Sequence, residues 1–409
     1  MTAFAGVRGT GDWGTDERPK NFREGILFLN PNGMAPIFGL SSKMGKKTVD
    51  DPEFSWWDEP NNLVRLQLSG ALSASASTVG VDSNDPAEGS IDAHWGTASN
   101  LKAGDLLMVE PAADAANLNT EVVKVTSVTN ATSFEVSRGA AGTTAAAITD
   151  NSYLLKIGSA YSEGTRAPDA TSRNPIKYYN LTEIFKNTYE LTGTVMQTRA
   201  RTGDPMRNDK KRKMFDHSRD IETSILFGRR HETTGTNGKP ERYMGGLRSF
   251  IPSSILSNDW SMANLLDNVS TVFDWDSMAG DERMVFCGNG ALNEFNKKLE
   301  SQSSSAVRIN YDGRASMYGV NFRRYIVPQG ELMIKTHPLL SRHPLYNYSW
   351  WIIDGSALKW VALRNRDTKF KDNIQHNDED TTKGQWMTEG SIMVDRGGLT
   401  MKYIGGFNL

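Results

Sequence analysis

Any catalytic or metal site in this chain must be drawn from 6 histidines, 1 cysteine and 48 acidic residues. The histidines are His94, His217, His231, His337, His343 and His376, and no two stand in HxxxH or HExxH spacing, which would put two ligands on one helix face. His337 and His343 each precede a proline, so their stretch reads as an extended, turn-rich loop with no metal-ligating geometry. Cys287 closes a short apolar run, Met284–Cys287, where a lone thiol is a small core residue. Gly288-Asn289-Gly290 follows that run and opens a helical pattern, the nearest feature to a phosphate cradle. A dinucleotide site needs a third glycine at 293, where Asn293 stands, and GxxxxGK[ST] is absent. The triplet is therefore expected to be an ordinary strand-to-helix turn. No cofactor and no catalytic or metal-ligating residue is assigned.

Charge clusters carry more information. Residues 199–219 hold eight bases (Arg199, Arg201, Arg207, Lys210, Lys211, Arg212, Lys213 and Arg219) against three acids, a local charge of +5. That pattern suits a solvated helix face, pairing with acidic loops of another subunit, or sequence-independent contact with phosphates. No aromatic residue lies within 199–213, so base stacking on a single strand is not expected. The run Asp378-Glu379-Asp380 reads as a solvated loop, an intersubunit salt-bridge partner or a cation contact. Trp56 and Trp57 could anchor an interface or fill a core.

The whole chain is nearly neutral, with 46 Lys and Arg against 48 acids, which excludes a bulk polycation. Apolar residues at 38% and aromatics at 9% supply a core and exclude general disorder. No apolar run approaches the ~18–20 residues of a membrane span. The N-terminus lacks the basic-then-apolar layout of a secretory signal, and one cysteine excludes an intrachain disulfide framework, as suits a reducing cytosol. A length of 409 residues exceeds what one core of ~250–300 residues holds, so two or three folding units are expected.

Residues 1–60 read as an extended arm. Its first 50 residues contain eight glycines, and Pro31, Pro36, Pro52 and Pro60 interrupt any helix. Such an arm needs a partner to hold it, most simply a neighbouring copy. It begins at Met1, which reads as a chain from which no N-terminal propeptide has been removed. Residues 70–165 then carry 18 alanines and a net charge of −7. Within them Leu106–Val109, Glu121–Val128 and Phe134–Ser137 are β-rich runs, the last two separated by the turn Asn130-Ala131-Thr132. Strand-like runs near 62–68 and 152–157 flank this module and could pair as the stalk of a hairpin carrying it at the tip. Asp204 as N-cap, Pro205 at the first helical position and Gly228 at the end define a helix over 204–228. Its narrow stripe is Met214, Ser218, Ile221 and Ile225. Residues 232–245 read as a polar loop and 261–273 as an amphipathic helix. Strands are expected near 317–327, 331–335, 348–353, 357–363, 385–394 and 399–404. Helices and strands mix without βαβ alternation, which predicts the α+β class.

This order of parts resembles the major capsid proteins of tailed double-stranded DNA bacteriophages, the Hong Kong 97-type fold, in a subgroup with a β-rich insertion. The residues that carry it run from Leu101-Lys102-Ala103-Gly104-Asp105 to Glu121–Val128, Phe134–Gly139 and Gly142–Ala147. They continue through Tyr179–Phe185, Leu191–Thr194, Arg219–Glu222 and Met244-Gly245-Gly246-Leu247. The resemblance spans about 60–409.

It implies assembly and no enzymatic activity. The arm (1–60) would be followed by an extended loop (61–180) lying over a neighbouring subunit and carrying the insertion (about 73–150). A peripheral domain (181–250, with the spine helix at about 204–228, and 355–396) would place 371–383 near local threefold axes. An axial domain (251–354) and a returning C-terminal strand (397–409) would complete the subunit. Partners implied are further copies in hexamers and pentamers, portal, scaffolding and decoration proteins, and weak contact with packaged double-stranded DNA, with no membrane role. The subunit would be made and assembled in the host cytoplasm and end in the virion shell. Two other functions share part of the pattern. They are the shell of an encapsulin-like bacterial nanocompartment and a β-rich phage tail or adhesion component.

Overall fold

The computed structural model describes residues 37, 45–59, 64–82, 97–110, 120–168, 170, 175–200, 203–256, 260–302, 314–317 and 320–407. Most of the arm, Arg201 and His94 lie outside the described residues.

A seven-stranded mixed sheet forms the centre of the C-terminal half. Its order is Ser253–Ile255, Lys402–Gly405, Ser349–Ile353, Glu282–Cys287, Gly330–Thr336, Val320–Val327, Arg314–Met317. Side chains alternate across a strand, so one apolar run can serve two cores. Val285 and Cys287 face a core shared with helices Met262–Ser270 and Asn289–Gln302, through Leu265, Val269, Ala291 and Phe295. Met284 and Phe286 face the other way, into a core with Ile221, Ile225, Leu358, Trp360 and Ile392. The run Trp350–Ile353, fully buried at 0% exposure, divides between the two cores in the same way.

The second core lies under a five-stranded sheet in which Lys46–Val49, Leu358–Leu363, Thr381–Val394 and Glu183–Thr192 are neighbours, with Lys369–Lys371 also on Thr381–Val394. Lys46–Val49 pairs parallel with Trp360–Leu363, so the end of the arm is built into this sheet. The spine helix Pro205–Phe227 packs on the Glu183–Thr192 strand. The Asp204 carboxylate accepts the Met206 and Arg207 N–H groups at 2.9 and 3.3 Å, as its capping sequence predicts. The helix stripe differs from the expected one. Met214 is 51% exposed, and the buried face is His217, Ile221, Glu222, Ile225 and Leu226. Hydrophobic spacing alone misses this face because two of its members are polar residues whose hydrogen bonds are satisfied inside the protein.

The helix ends at Gly228, where the chain crosses Met244-Gly245-Gly246. A Cβ at Gly246 would sit 2.5 Å from the Ser224 carbonyl oxygen, so only glycine allows this approach. Residues 232–245 are not an irregular loop. His231–Thr234 and Pro240–Tyr243 pair as an antiparallel hairpin.

The β-rich insertion closes a core of its own. Its sheet order is Arg65–Gln67, Tyr153–Ser159, Asp105–Val109, Val122–Asn130, Ser133–Ala140, Thr78–Gly80. Every residue of that core, from Leu66 to Leu154, belongs to the insertion or the strands entering it. The Asn130 carboxamide oxygen accepts the Thr132 N–H at 2.8 Å and fixes the expected hairpin turn. The 65–67 and 153–159 strands do pair, but inside this sheet. The stalk beneath it is Glu53–Asp58 against Ile176–Leu181.

Candidate functional site

No described group of three or more His, Cys, Asp or Glu is arranged to hold a metal. Gly288-Asn289-Gly290 is filled by the chain itself. A Cβ at Gly288 would lie 2.2 Å from the Asn347 carbonyl oxygen, and the Gly290 N–H donates to Asn347 Oδ1 at 2.9 Å. The Asn289 N–H goes to Ser341 Oγ at 3.1 Å, so the helix start has no vacancy for a phosphate. Burial pushes the Cys287 thiol up to about 12, which keeps it un-ionised and unreactive. The His343 ring nitrogen accepts the N–H groups of Leu345 and Tyr346 and shapes a turn.

The groups that could act are those that tie distant parts of the chain together and those that remain on the surface. Glu222, five residues before the end of the spine helix, is fully buried. One of its oxygens meets His337 Nε2 at 2.6 Å and accepts the Ile37 N–H at 3.0 Å. His337 Nδ1 in turn accepts the Leu339 N–H at 3.2 Å, which leaves Nε2 to donate. One carboxylate thus joins the arm, the spine helix and the seven-stranded sheet. The spacing of His337 gave no sign of this role; its partner lies 115 positions away. Asn180, also fully buried, donates to the carbonyls of Gly245 and Ile392 and accepts the Gly245 N–H at 2.8 Å.

The stalk is fastened by Asp58, which accepts the Gly397 N–H at 2.9 Å; burial raises its carboxyl above the ordinary value despite that bond. Trp56 is a core residue and not an interface anchor. It is 5% exposed and lies among Phe54, Tyr178 and Phe250. The pleat puts its neighbour on the opposite face, so Trp57 is 60% exposed beside Lys177.

The described bases of the 199–213 cluster lie on the exposed side of the spine helix and the turn before it. Arg212 pairs with Asp209 at 3.2 Å and Lys213 with Asp216 at 3.9 Å, each within one helical turn. The Lys210 ammonium lies 3.7 Å over the Phe370 ring. Asp378, Glu379 and Asp380 are exposed at the tip where the Thr381–Val394 strand begins. The structure brings this tip to the same end of the sheet as the start of the spine helix, since the Gly193 N–H donates to the Asp380 carbonyl.

Comparison with known proteins decides among the shell, nanocompartment and tail readings. A family model described as SU10 major capsid protein matches residues 5–397. This chain belongs to that family. The major capsid protein of Pseudomonas phage PaMx41 is 25% identical over 390 residues, 93% of this chain and 87% of the relative. Among solved structures, the capsid asymmetric unit of cyanophage A-1(L) covers 96% of this chain and 98% of its own at 8% identity, with a TM-score of 0.45. The holo-SrpI encapsulin complex of Synechococcus elongatus covers 59% of this chain and 79% of its own at 10% identity, with a TM-score of 0.39. As a phage major capsid protein, the chain builds the head shell from many copies of itself and is a component of the virion. Its α+β class is the one the sequence anticipated. No described helix is long and apolar enough to cross a membrane.

Proposed function

We propose that the subunit assembles as pentamers and hexamers, purely as a structural element, inside the host cytoplasm. The two-core body forms the axial and peripheral parts at about 251–354 and 181–250 with 355–396, and the C-terminal strand, 397–409, returns to the axial part. The arm (1–60), anchored to its own body at Ile37 and Lys46–Val49, and the extended loop (61–180) supply the contacts with neighbouring copies. The observation that carries this reading is the joint at Glu222. It ties the arm, the spine helix and the axial sheet together, while the two-stranded stalk, packed on the same body through Phe54, Trp56 and Asp58, leads out to the insertion. A body tied in this way, with a ribbon leading out of it, suits repeated contacts around closed rings.

The exposed bases Arg199, Arg207, Lys211 and Arg212, with the half-buried Lys210 and Lys213, face either acidic surfaces of other copies or the phosphates of packaged DNA, Arg201 belongs to the same run of sequence, and Trp57 adds an apolar anchor on the stalk. Portal, scaffolding and decoration proteins are the further partners of such a shell. Negative-stain electron microscopy and sedimentation of the purified chain test the reading. Closed particles of uniform size, with pentameric and hexameric rings on their surface, are expected. A chain that stays a compact monomer at every salt and protein concentration overturns it.

A further inference from the structure

The surface at the C-terminal end of the spine helix is strongly basic, beginning with the run Arg229-Arg230-His231. A pocket of about 490 Å³ there is lined by Lys177, Tyr178, Arg229, Arg230, His231, Ser249 and Phe250. A second, of about 420 Å³, shares Arg229 and Ser249 with it and adds Arg248. No acid is among the described residues lining either one. Arg230 is partly used within the chain, since it stacks 3.5 Å over the Tyr179 ring and donates to the Tyr179 carbonyl at 2.7 Å. Arg229 makes no hydrogen bond or ion pair among the described residues, and Lys177 meets only the Tyr179 ring, at 5.9 Å. Trp57 stands next to Lys177 on the same outward face of the stalk. The nearest acids along the strand are Asp58, which is engaged by the Gly397 N–H, and the exposed Glu59, two residues from Trp57.

A basic, partly aromatic pocket calls for carboxylates or phosphates. Three described acids of the insertion are already paired. Glu121 is held by Arg138, Asp105 by Lys156 and Glu110 by Arg65. Asp378-Glu379-Asp380 is the chain's single run of three acids, it is exposed, and none of the three forms an ion pair among the described residues.

That run cannot reach the pocket of its own subunit. It sits where Thr381 pairs with Thr192, whereas the pocket lies beyond Phe227, at the other end of the same helix and sheet. A helix of 23 residues separates them by about 34 Å at 1.5 Å per residue. Opposite charges fixed at opposite ends of one rigid beam can meet only between molecules. The resulting head-to-tail contact closes into rings.

We propose that the pocket around Lys177 and Arg229 receives the Asp378-Glu379-Asp380 tip of a second copy of this chain. The inference rests on the chain being a shell subunit and adds a named contact to that reading. The test is a charge swap scored by shell yield on sucrose gradients and in micrographs. Lys177→Glu with Arg229→Glu, and separately Asp378→Lys with Glu379→Lys, are each expected to lower shell yield at least tenfold, the loss expected when a ~1.4 kcal/mol contact is broken. The four changes together are expected to restore it. Circular dichroism of each purified subunit separates lost contact from lost folding. Either double variant assembling at wild-type yield overturns the proposal. So does a combined variant that stays folded yet is not restored. Normal shells with reduced nucleic-acid content in the Lys177/Arg229 variant also overturn it, in favour of a phosphate partner. Failure of the unaltered chain to form shells would count against the shell reading itself, so the two failures are distinct.

Discussion

The insertion and the body of this subunit are both dominated by strands, yet they are built on opposite plans. The insertion is local. Its core spans Leu66 to Leu154, every strand of its sheet comes from residues 65–159, and its buried Asp105 and Glu121 are paired within it. The body is assembled from the whole chain. Lys46–Val49 pairs with residues more than 300 positions away, and Ile37 reaches Glu222 across 185. A local unit can form and melt by itself, whereas a unit closed by long-range joints depends on each of them. The insertion is therefore expected to unfold separately from the body.

The largest expected effect is at the body's joint. Glu222→Ala strands His337 and the Ile37 N–H in a fully buried site and should cost the body about 5 kcal/mol, seen in denaturant unfolding followed by tryptophan fluorescence. The insertion's transition should not move. If both transitions shift together, the two regions are one cooperative unit and the comparison fails.

The matching change in the insertion is smaller. Arg138→Ala leaves Glu121 buried without its two 2.7 Å bonds and should cost about 3 kcal/mol, confined to the insertion. Acid should then separate the regions further. Burial opposes ionisation of Glu121, but Arg138 and the Ala146 and Gly139 N–H groups outweigh it and hold the carboxyl below its ordinary value of 4.5. A lowered carboxyl gives stability that is present above the unfolded value and lost as pH falls below it. The insertion's melting temperature should thus be flat from neutral pH to about that value and decline beneath it, and Arg138→Ala should flatten the decline. The smallest effect concerns the revised helix stripe. Met214→Ala should change the monomer's stability by less than about 0.5 kcal/mol, whereas a loss of 2 kcal/mol or more would restore Met214 to the core.

The same contrast explains what the sequence discloses. The insertion's strands, its Asn130 turn and the Asp204–Pro205–Gly228 punctuation of the spine helix are all short-range signals, and the structure has each of them. The hairpin at 231–243 escapes notice because its strands are polar on both faces, with no alternation to mark them. The burial of His217 and Glu222 escapes too, because their partners are His337, Asn187 and Thr388, which only the folded chain brings near. Trp56 and Trp57 look alike in sequence, and the pleat alone sends one into the core and the other to the surface. The basic pocket gathers Lys177, Arg229 and Arg248 from three segments, so no local count of charge reveals it.

The claim on which the rest depends is that the body closes without the module it carries. Asp58 pairs directly with Ile176, so residues 59–175 can be replaced by a four-residue Asn-Gly turn without moving the stalk. Hydrogen exchange of the Glu282–Cys287 amides in that shortened chain is the direct measurement. The account predicts the same protection as in the full-length protein. Exchange at unfolded-chain rates would contradict it.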